Sequence, residues 1–518
     1  MQAPVLRLLR RADALADRLA GWRGNPLYQS GTIAVASFLV LLITGLWLLL
    51  FYRVGAPWAS VARITDDPWL GNWVRGLHRV ATDVALLAVL VHLYRMFAQR
   101  RSWGPRTLAW LSGILMLGLL LICGWTGYVM VWDVFGEALA RDGARVFDLL
   151  PVLSEPVSRI FTGETPVLPA FFFINLFLHV ALPLGIGLGF WLHVSRIARP
   201  ALLPPRRLMW TIVGLMTAAA VVWPMTMAPE ADPLRRAVTI PIDLLYAPWL
   251  LISGQLPAWE ILGIGLIPLV LLGLVPWLTR HREEHRPAPS TVDEAICTGC
   301  THCAQDCPWE AITMLPRTDG RAELVARVDP TLCVSCGLCA GSCAPMGVGP
   351  PGRTGRDQLE LLRRYLVASP VTGRDVVVIG CARGGAGGSG AEALSAAGAR
   401  VYPIDCVGNL HTSVIEFLVR GGAGGVLVLG CPPRDCWNRE GPRWLEARLH
   451  HGREAELQDR VDRRRVHMVS AGAREPGLAV AEFTRFQAAV DGLMPPEAEP
   501  DLQLEAVCEA ALAAVEDK

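Results

Sequence analysis

Four histidines and eight cysteines in this sequence have types and spacings that could do chemistry. His78 and His92 lie fourteen residues apart in GLHRVATDVALLAVLVHLYRM, and His179 and His193 lie fourteen apart in FLHVALPLGIGLGFWLHV. On an α-helix, fourteen steps return to within about 40° of the starting face and advance roughly 21 Å. Each segment therefore offers two imidazoles on one face at two depths. Both segments are apolar enough for a bilayer, where an ionisable side chain is costly and marks function. Two helices with matched pairs can clamp two planar macrocycles by axial ligation, one near each membrane face. Farther along, CTGCTHCAQDCP (Cys297, Cys300, Cys303, Cys307) and CVSCGLCAGSCAP (Cys333, Cys336, Cys339, Cys343) are two C-x2-C-x2-C-x3-C runs. Thiolates so spaced hold [4Fe–4S] clusters, the fourth cysteine of each run serving the other cluster. The expected sets are Cys297, Cys300, Cys303 and Cys343, then Cys333, Cys336, Cys339 and Cys307. Zinc sites use pairs of cysteines rather than such triplets.

These donors need elements to position them. The chain has 518 residues, 52% hydrophobic and 18% charged, with net charge +1; nothing in it argues for a nucleic-acid partner. Apolar runs at about 31–52, 77–98, 107–132, 169–195, 207–228 and 258–279 are long enough to span a bilayer. Arginines number 13 in segments 1–30, 94–107 and 196–207 and 8 in the longer set 53–76, 134–168 and 229–257. The positive-inside bias then places the first set in the cytoplasm. The two histidine helices are expected to run parallel, with His78 matching His179 at the outer face and His92 matching His193 at the inner face. Residues 1–30 read as an amphipathic basic helix without the apolar core of a signal peptide.

At this point residues 25–280 resemble the cytochrome b of bc1 and b6f complexes. The likeness rests on the four histidines, the 101 residues between partners, and glycines fourteen apart, Gly31 with Gly45 and Gly113 with Gly127. The resemblance implies two b haems, with glycines that let each macrocycle approach a helix backbone and with Arg75 and Arg95 pairing with propionates. The likeness weakens on the outer side. GYVMVWD has Val131 and Asp133 where the family has proline and glycine, and the family's Pro-Glu-Trp-Tyr motif is missing. In TIPIDLLYAPW, Asp243 is at best a displaced carboxylate. No Rieske or cytochrome c segment is evident, so outer-site quinol bifurcation is not expected.

The fold class expected is multidomain. Residues 31–280 form an all-α transmembrane di-haem bundle of about six helices, and 281–350 a ferredoxin-like α+β domain with two clusters. After a linker at 351–373, an α/β parallel-sheet domain of flavodoxin or Rossmann type covers 374–492, and an acidic tail covers 493–518. In that α/β segment VVVIG, VYPID, GVLVLG and VHMVS read as buried parallel strands and HTSVIEFLVRG as a helix. Cys381, Cys406, Cys431 and Cys436 sit at strand ends, where ligands of open α/β sheets gather. They are a candidate [2Fe–2S] site. The segment resembles the delta subunit of methyl-viologen-reducing hydrogenases, whose Gly-Cys-x-Pro-Gly-Asp-Cys motif appears as GCPPRDC; only Cys381 represents that family's Cys-x-x-Cys. The resemblance implies electron exchange with a flavoprotein. A rival reading takes Gly385, Gly387 and Gly390 as a dinucleotide loop. Cys123 and Cys508 read as inert.

The expectation is an electron-transfer subunit linking a cytoplasmic dehydrogenase or flavoprotein to the quinone pool of a prokaryotic inner membrane, with the iron–sulfur domains on the cytoplasmic side. A homodimer is left open as an assembly. The alternative is a self-contained NAD(P)H:quinone oxidoreductase using loop 385–390. Two [4Fe–4S] clusters, one [2Fe–2S] cluster and two haems predict about twelve iron atoms per chain. A reproducible value near ten in anaerobic preparations with intact haem removes the α/β cluster.

Overall fold

The computed structural model describes residues 2–493 except 100, 104–105, 151–154, 162–166, 196–200, 233–242, 244, 247, 249–252, 280–286, 322, 434, 439 and 474. Cys508, the acidic tail beyond 493 and most of the linker after the last apolar run lie outside the described residues. The chain divides into two compact units, Met1–Glu283 and Glu284–Lys518.

In the first unit, α1 (Gln2–Gly24) precedes α2 (Ser30–Phe51), α3 (Pro57–Asp66), α4 (Gly71–Ala98), α5 (Thr107–Val131), α6 (Val134–Phe147), α7 (Pro169–Ser195), α8 (Arg206–Val222) and α9 (Ala258–Leu278). Among the described residues, α2, α4, α5, α7 and α9 are long and apolar enough to cross a membrane. The run expected at 207–228 is the 17-residue α8, about 26 Å long and shorter than the ~30 Å hydrocarbon layer. It stops because Trp223 precedes Pro224, and a residue before proline is driven out of the helical region. In place of a straight run past the Val131 position, α5 ends on Trp132 in the left-handed region (φ 57°). Asp133 then caps α6, accepting from the Gly136 amide at 2.9 Å. The non-family residues of GYVMVWD thus make a helix-to-helix corner.

In the second unit, β1 (Thr291–Val292) pairs antiparallel with β4 (Val348–Gly349), and β2 (Ile312–Pro316) with β3 (Leu324–Val328). Two one-turn helices, α10 (His302–Gln305) and α11 (Leu338–Gly341), lie inside the cysteine runs. Next come α12 (Gly355–Ala368), β5 (Val376–Cys381), α13 (Ser389–Ala396), β6 (Arg400–Ile404), α14 (Thr412–Arg420), β7 (Gly425–Gly430), α15 (Gly441–His450), β8 (Val466–Ser470) and α16 (Pro476–Asp491). The four strands form a parallel sheet in the order β6-β5-β7-β8, on the segments expected from their unbroken apolar runs. Alternation sorts the side chains. Val377, Ile379, Val426 and Val428 face α12, α14 and α15, while Val376, Val378, Leu427 and Leu429 face α13 and α16. Burial on both faces is why β5 and β7 read as continuous hydrophobic runs, while the edge strands β6 and β8 are only partly covered.

Helix α1 is tied to α4 by a buried ion pair. Arg95 Nη1 donates to both Asp13 carboxylate oxygens at 2.9 and 3.0 Å, and Asn25 donates to Asp13 Oδ1 at 3.0 Å. Asp13→Ala strands the buried guanidinium, and breaking such a pair costs about 3–5 kcal/mol. Limited proteolysis in detergent should cleave α1 of this variant well before the wild type; equal cleavage rates refute the anchoring role.

Candidate metal centres

Helix α4 carries His78 and His92, and α7 carries His179 and His193. The His78 and His179 ring centroids are 6.5 Å apart, as are those of His92 and His193, so α4 and α7 run in the same direction. A metal bonded at about 2 Å by one nitrogen of each ring, with each ring centre about 1 Å behind that nitrogen, sets facing centroids about 6 Å apart. The other nitrogen is accounted for. Thr44 donates its hydroxyl hydrogen to the Val40 carbonyl at 2.7 Å and lies 2.8 Å from His78 Nδ1. Thr126 donates to the Cys123 carbonyl at 2.7 Å and lies 3.0 Å from His179 Nδ1, which also reaches that carbonyl at 3.0 Å. Ser112 donates to the Ala109 carbonyl at 3.1 Å and lies 3.2 Å from His193 Nδ1. A hydroxyl whose hydrogen is already committed can only accept from the ring. With the hydroxyl hydrogens on those carbonyls, the matching tautomer has its proton on Nδ1 and leaves the Nε2 lone pair for a metal.

The four glycines seat these rings. A Cβ on Gly31 would come 2.9 Å from His92 Nδ1, and on Gly127 3.0 Å from His179 Cε1; at Gly45 and Gly113 the ring distances are 3.3 and 3.5 Å. Each glycine follows a hydroxyl residue: Ser30, Thr44, Ser112 and Thr126. Sequence reasoning picked the glycines and missed the hydroxyls, although the Ser/Thr-Gly pairs were the signal. Ser30 keeps a buried hydroxyl without a hydrogen-bond partner.

Arg75 donates to the Thr65 hydroxyl at 2.7 Å. With His78, His179, Arg79, Tyr128 and Asp133 it lines a cavity of about 1360 Å³. Asp243 closes a polar wall there: it pairs with Arg79, accepts from the Tyr128 hydroxyl, and accepts from the Leu245 and Tyr246 amides at 2.9 Å each. Arg95 spends Nη1 on Asp13, but its Nη2 is buried without a partner, a donor that suits an anionic group such as a carboxylate arm.

In the second unit, Cys297, Cys300, Cys303 and Cys343 line one small cavity. Cys339 interacts with Cys307 and Cys333, and Cys336 with Cys339 and Cys307, so the last cysteine of each run lies with the triplet of the other. Burial pushes the Cys339 thiol up to about 12 and raises Cys303, Cys336 and Cys343 as well. Such thiols ionise only for a cation that replaces the proton, which is the chemistry of a metal-held set.

Cys381 ends β5 and Cys431 follows β7, at the point of the sheet where the chain switches direction, the usual ligand crevice. Their sulfurs are 3.1 Å apart. Cys406, after β6, accepts from Cys436, a bond that lowers the Cys406 thiol and raises its partner. All four are buried. Two close pairs within one quartet fit a two-metal cluster with a pair on each iron. The neighbouring Gly385 packs on Ala471, and Gly387 and Gly390 abut the carbonyls of Ala382 and Gly385. Their missing side chains serve the loop's own turns.

The tightest of the ring seats gives a graded test. Gly31→Ala forces a Cβ against His92, while Gly185→Ala meets only Leu119 at 3.8 Å. The first should lower the b-haem content of purified protein by up to half or shift the potential of one b haem, and the second should do neither. Equal spectra for both variants refute the seating role.

Comparison with known proteins assigns each segment. Residues 18–199 match the cytochrome b/b6/petB family, residues 296–347 the 4Fe–4S dicluster domain, and residues 376–493 the methyl-viologen-reducing hydrogenase delta subunit. Cytochrome b6 of Porphyra purpurea is 27% identical over 200 residues, 38% of this chain and 92% of that protein. The hyperthermophilic respiratory Complex III structure aligns with a TM-score of 0.39 at 18% identity, over 49% of this chain and 75% of that one. The chain joins a cytochrome b-like membrane segment, a 4Fe–4S dicluster segment and a hydrogenase-delta-like segment in one polypeptide, a haem and iron–sulfur electron-transfer protein of the membrane.

Proposed function

We propose that this chain is the quinone-reactive electron-transfer subunit of an oxidoreductase complex in a prokaryotic cytoplasmic membrane, exchanging electrons with a cytoplasmic flavoprotein or dehydrogenase. His78 with His179 and His92 with His193 hold two b haems. Cys297, Cys300, Cys303 and Cys343 hold one [4Fe–4S] cluster, and Cys333, Cys336, Cys339 and Cys307 the other. Cys381, Cys406, Cys431 and Cys436 hold a [2Fe–2S] cluster, with Cys381 and Cys431 on one iron and Cys406 and Cys436 on the second. Haems and clusters supply one-electron chemistry when bound. The protein residues orient the donors, exclude water and fix which imidazole nitrogen is free. The observation that carries the reading is the gathering of twelve of the thirteen described cysteines into three quartets, beside two imidazole pairs. The self-contained NAD(P)H reading would use loop 385–390, where Gly385 packs on Ala471 and Gly387 and Gly390 abut the carbonyls of Ala382 and Gly385.

Quinone reacts beside the His92–His193 pair in this proposal. Arg95 Nη2, Gln99 Oε1 and Trp103 Nε1, at and after the end of α4, are buried polar atoms without partners and suit a ligand with carbonyl oxygens and exchangeable protons. A second reading puts quinone beside His78 and His179, and the cavity walled by Asp243, Tyr128 and Arg79 favours it. The two differ in electrogenicity, since each electron moved across a 100 mV potential exchanges about 2.3 kcal/mol. Proteoliposomes driven by a chemically reduced viologen on the cluster side, under an imposed potassium diffusion potential, separate them. Quinone reduction should proceed and barely respond to the sign of the potential. A severalfold acceleration with the cluster side negative moves the quinone to the His78–His179 end. No quinone reduction at either polarity overturns the function.

A further inference from the structure

One cation of the seam within Glu284–Lys518, Arg448 on α15, is fully enclosed. Its Nη1 donates to Ser342 Oγ at 3.1 Å, and its Nη2 to the carbonyls of Gly408 at 3.0 Å and Leu410 at 3.4 Å. Ser342 donates onward to the Asp306 carboxylate at 2.6 Å, and the buried Asp306 pairs with Arg453. The positions of these partners matter. Ser342 precedes Cys343, Asp306 precedes Cys307, and Gly408 lies two residues after Cys406. One guanidinium therefore touches, directly or through Ser342, three loops that each carry a cysteine of a different thiol quartet. The packing leaves no slack, because a Cβ on Gly341 would come 2.6 Å from Arg448 Nη2. A second tie runs alongside, where Asn409 donates to the Gly337 carbonyl, next to Cys336, at 2.9 Å.

Arg448 has no carboxylate to itself, since Asp306, whose charge reaches it through Ser342, is shared with Arg453. The direct partners of Arg448 are a hydroxyl and two carbonyls, and its Nε is buried without a partner. A buried cation in that condition is costly unless negative charge lies close by. Four thiolates around a cluster carry net negative charge, which grows by one on reduction.

We propose that Arg448 is a potential-setting residue: its buried charge favours the reduced forms of the clusters whose loops it holds, raising their reduction potentials. The inference rests on the cluster assignments proposed above. A cation in a low-dielectric surround acts on every negative charge within reach, so one residue adjusts neighbouring centres together, where a ligand change would adjust one.

The test is an EPR-monitored redox titration of the full chain in detergent, with iron and acid-labile sulfide measured on the same samples. Wild-type iron and sulfide too low for three clusters would sink the cluster assignments before any variant is made. With those in place, Arg448→Met should retain iron and sulfide while the reduced-to-oxidised ratio at fixed poise falls about tenfold, which is 59 mV for a one-electron couple. Arg448→Lys should restore most of the ratio. Arg448→Met with full iron and an unmoved ratio overturns the proposal. If Arg448→Met loses its iron, Asp306→Asn decides, because removing the neighbouring negative charge should move the ratio toward the reduced form. No shift, or a shift toward the oxidised form, overturns it equally.

Discussion

An imidazole that gives one nitrogen to a metal inside a membrane must place the hydrogen of its other nitrogen somewhere, and water is not available there. Three of the four rings solve this with a helix hydroxyl whose own hydrogen is already committed to a carbonyl of the preceding turn: Thr44 to Val40, Thr126 to Cys123, and Ser112 to Ala109. Serine and threonine commonly bond back in this way within helices. In this protein the habit has a consequence, because it leaves each hydroxyl able only to accept. Each ring that reaches such a hydroxyl also packs over the glycine that follows it, closest at Gly127, where a Cβ would come 3.0 Å from His179 Cε1. These contacts join α2 to α4 and α5 to α7.

The second unit meets the same problem with different chemistry. Its candidate donors are thiols, and burial drives Cys303, Cys336, Cys339 and Cys343 toward the protonated form, Cys339 up to about 12. Amides answer part of the demand, with Gly347 donating to the Cys343 sulfur and Ser290 to the Cys333 sulfur, each at 3.3 Å. The left-handed Gly299 and Gly337 (φ 72° and 78°) let the chain turn between the cysteines, a conformation with a steric cost for side-chain-bearing residues. The α/β quartet lies at the carboxyl edge of β5, β6 and β7, so the strand order itself gathers its cysteines.

Much of this was legible in one dimension. The β5 and β7 segments announce themselves because central strands covered on both faces have no polar side to interrupt the run. His78, His92, His179 and His193 stand out because the surrounding sequence has so little reason to carry them. What was not legible depends on partners far along the chain. Thr44 looks like an ordinary small residue of a membrane helix until His78 is seen beside it. Arg448 is one arginine in a chain where nearly every cation is arginine, and only folding brings it to Ser342, 106 residues away. Helix α8 stopped short of the apolar run because hydropathy does not register the conformational demand of Pro224, and the corner at Trp132 needed the aromatic cage of Phe161, Phe171 and Phe172 to hold a left-handed residue.

The two units also differ in where they put positive charge, and the difference follows from the donors. Neutral imidazoles add no charge to the group they hold, so no cation is needed between the rings of a pair; the arginines lie one turn beyond them, Arg75 before His78 and Arg95 after His92. Thiolates add a full charge each. With the proposed clusters bound, three quartets would accumulate negative charge in the interior of the second unit, where Arg448 stands among the cysteine loops beside the Asp306–Arg453 pair. Desolvation limits how many such cations a fold can bury. In the proposal above, one cation placed where three loops converge serves all of them, and the loops close on it so tightly that a Cβ on Gly341 would come 2.5 Å from the Gly408 carbonyl and 2.6 Å from Arg448 Nη2.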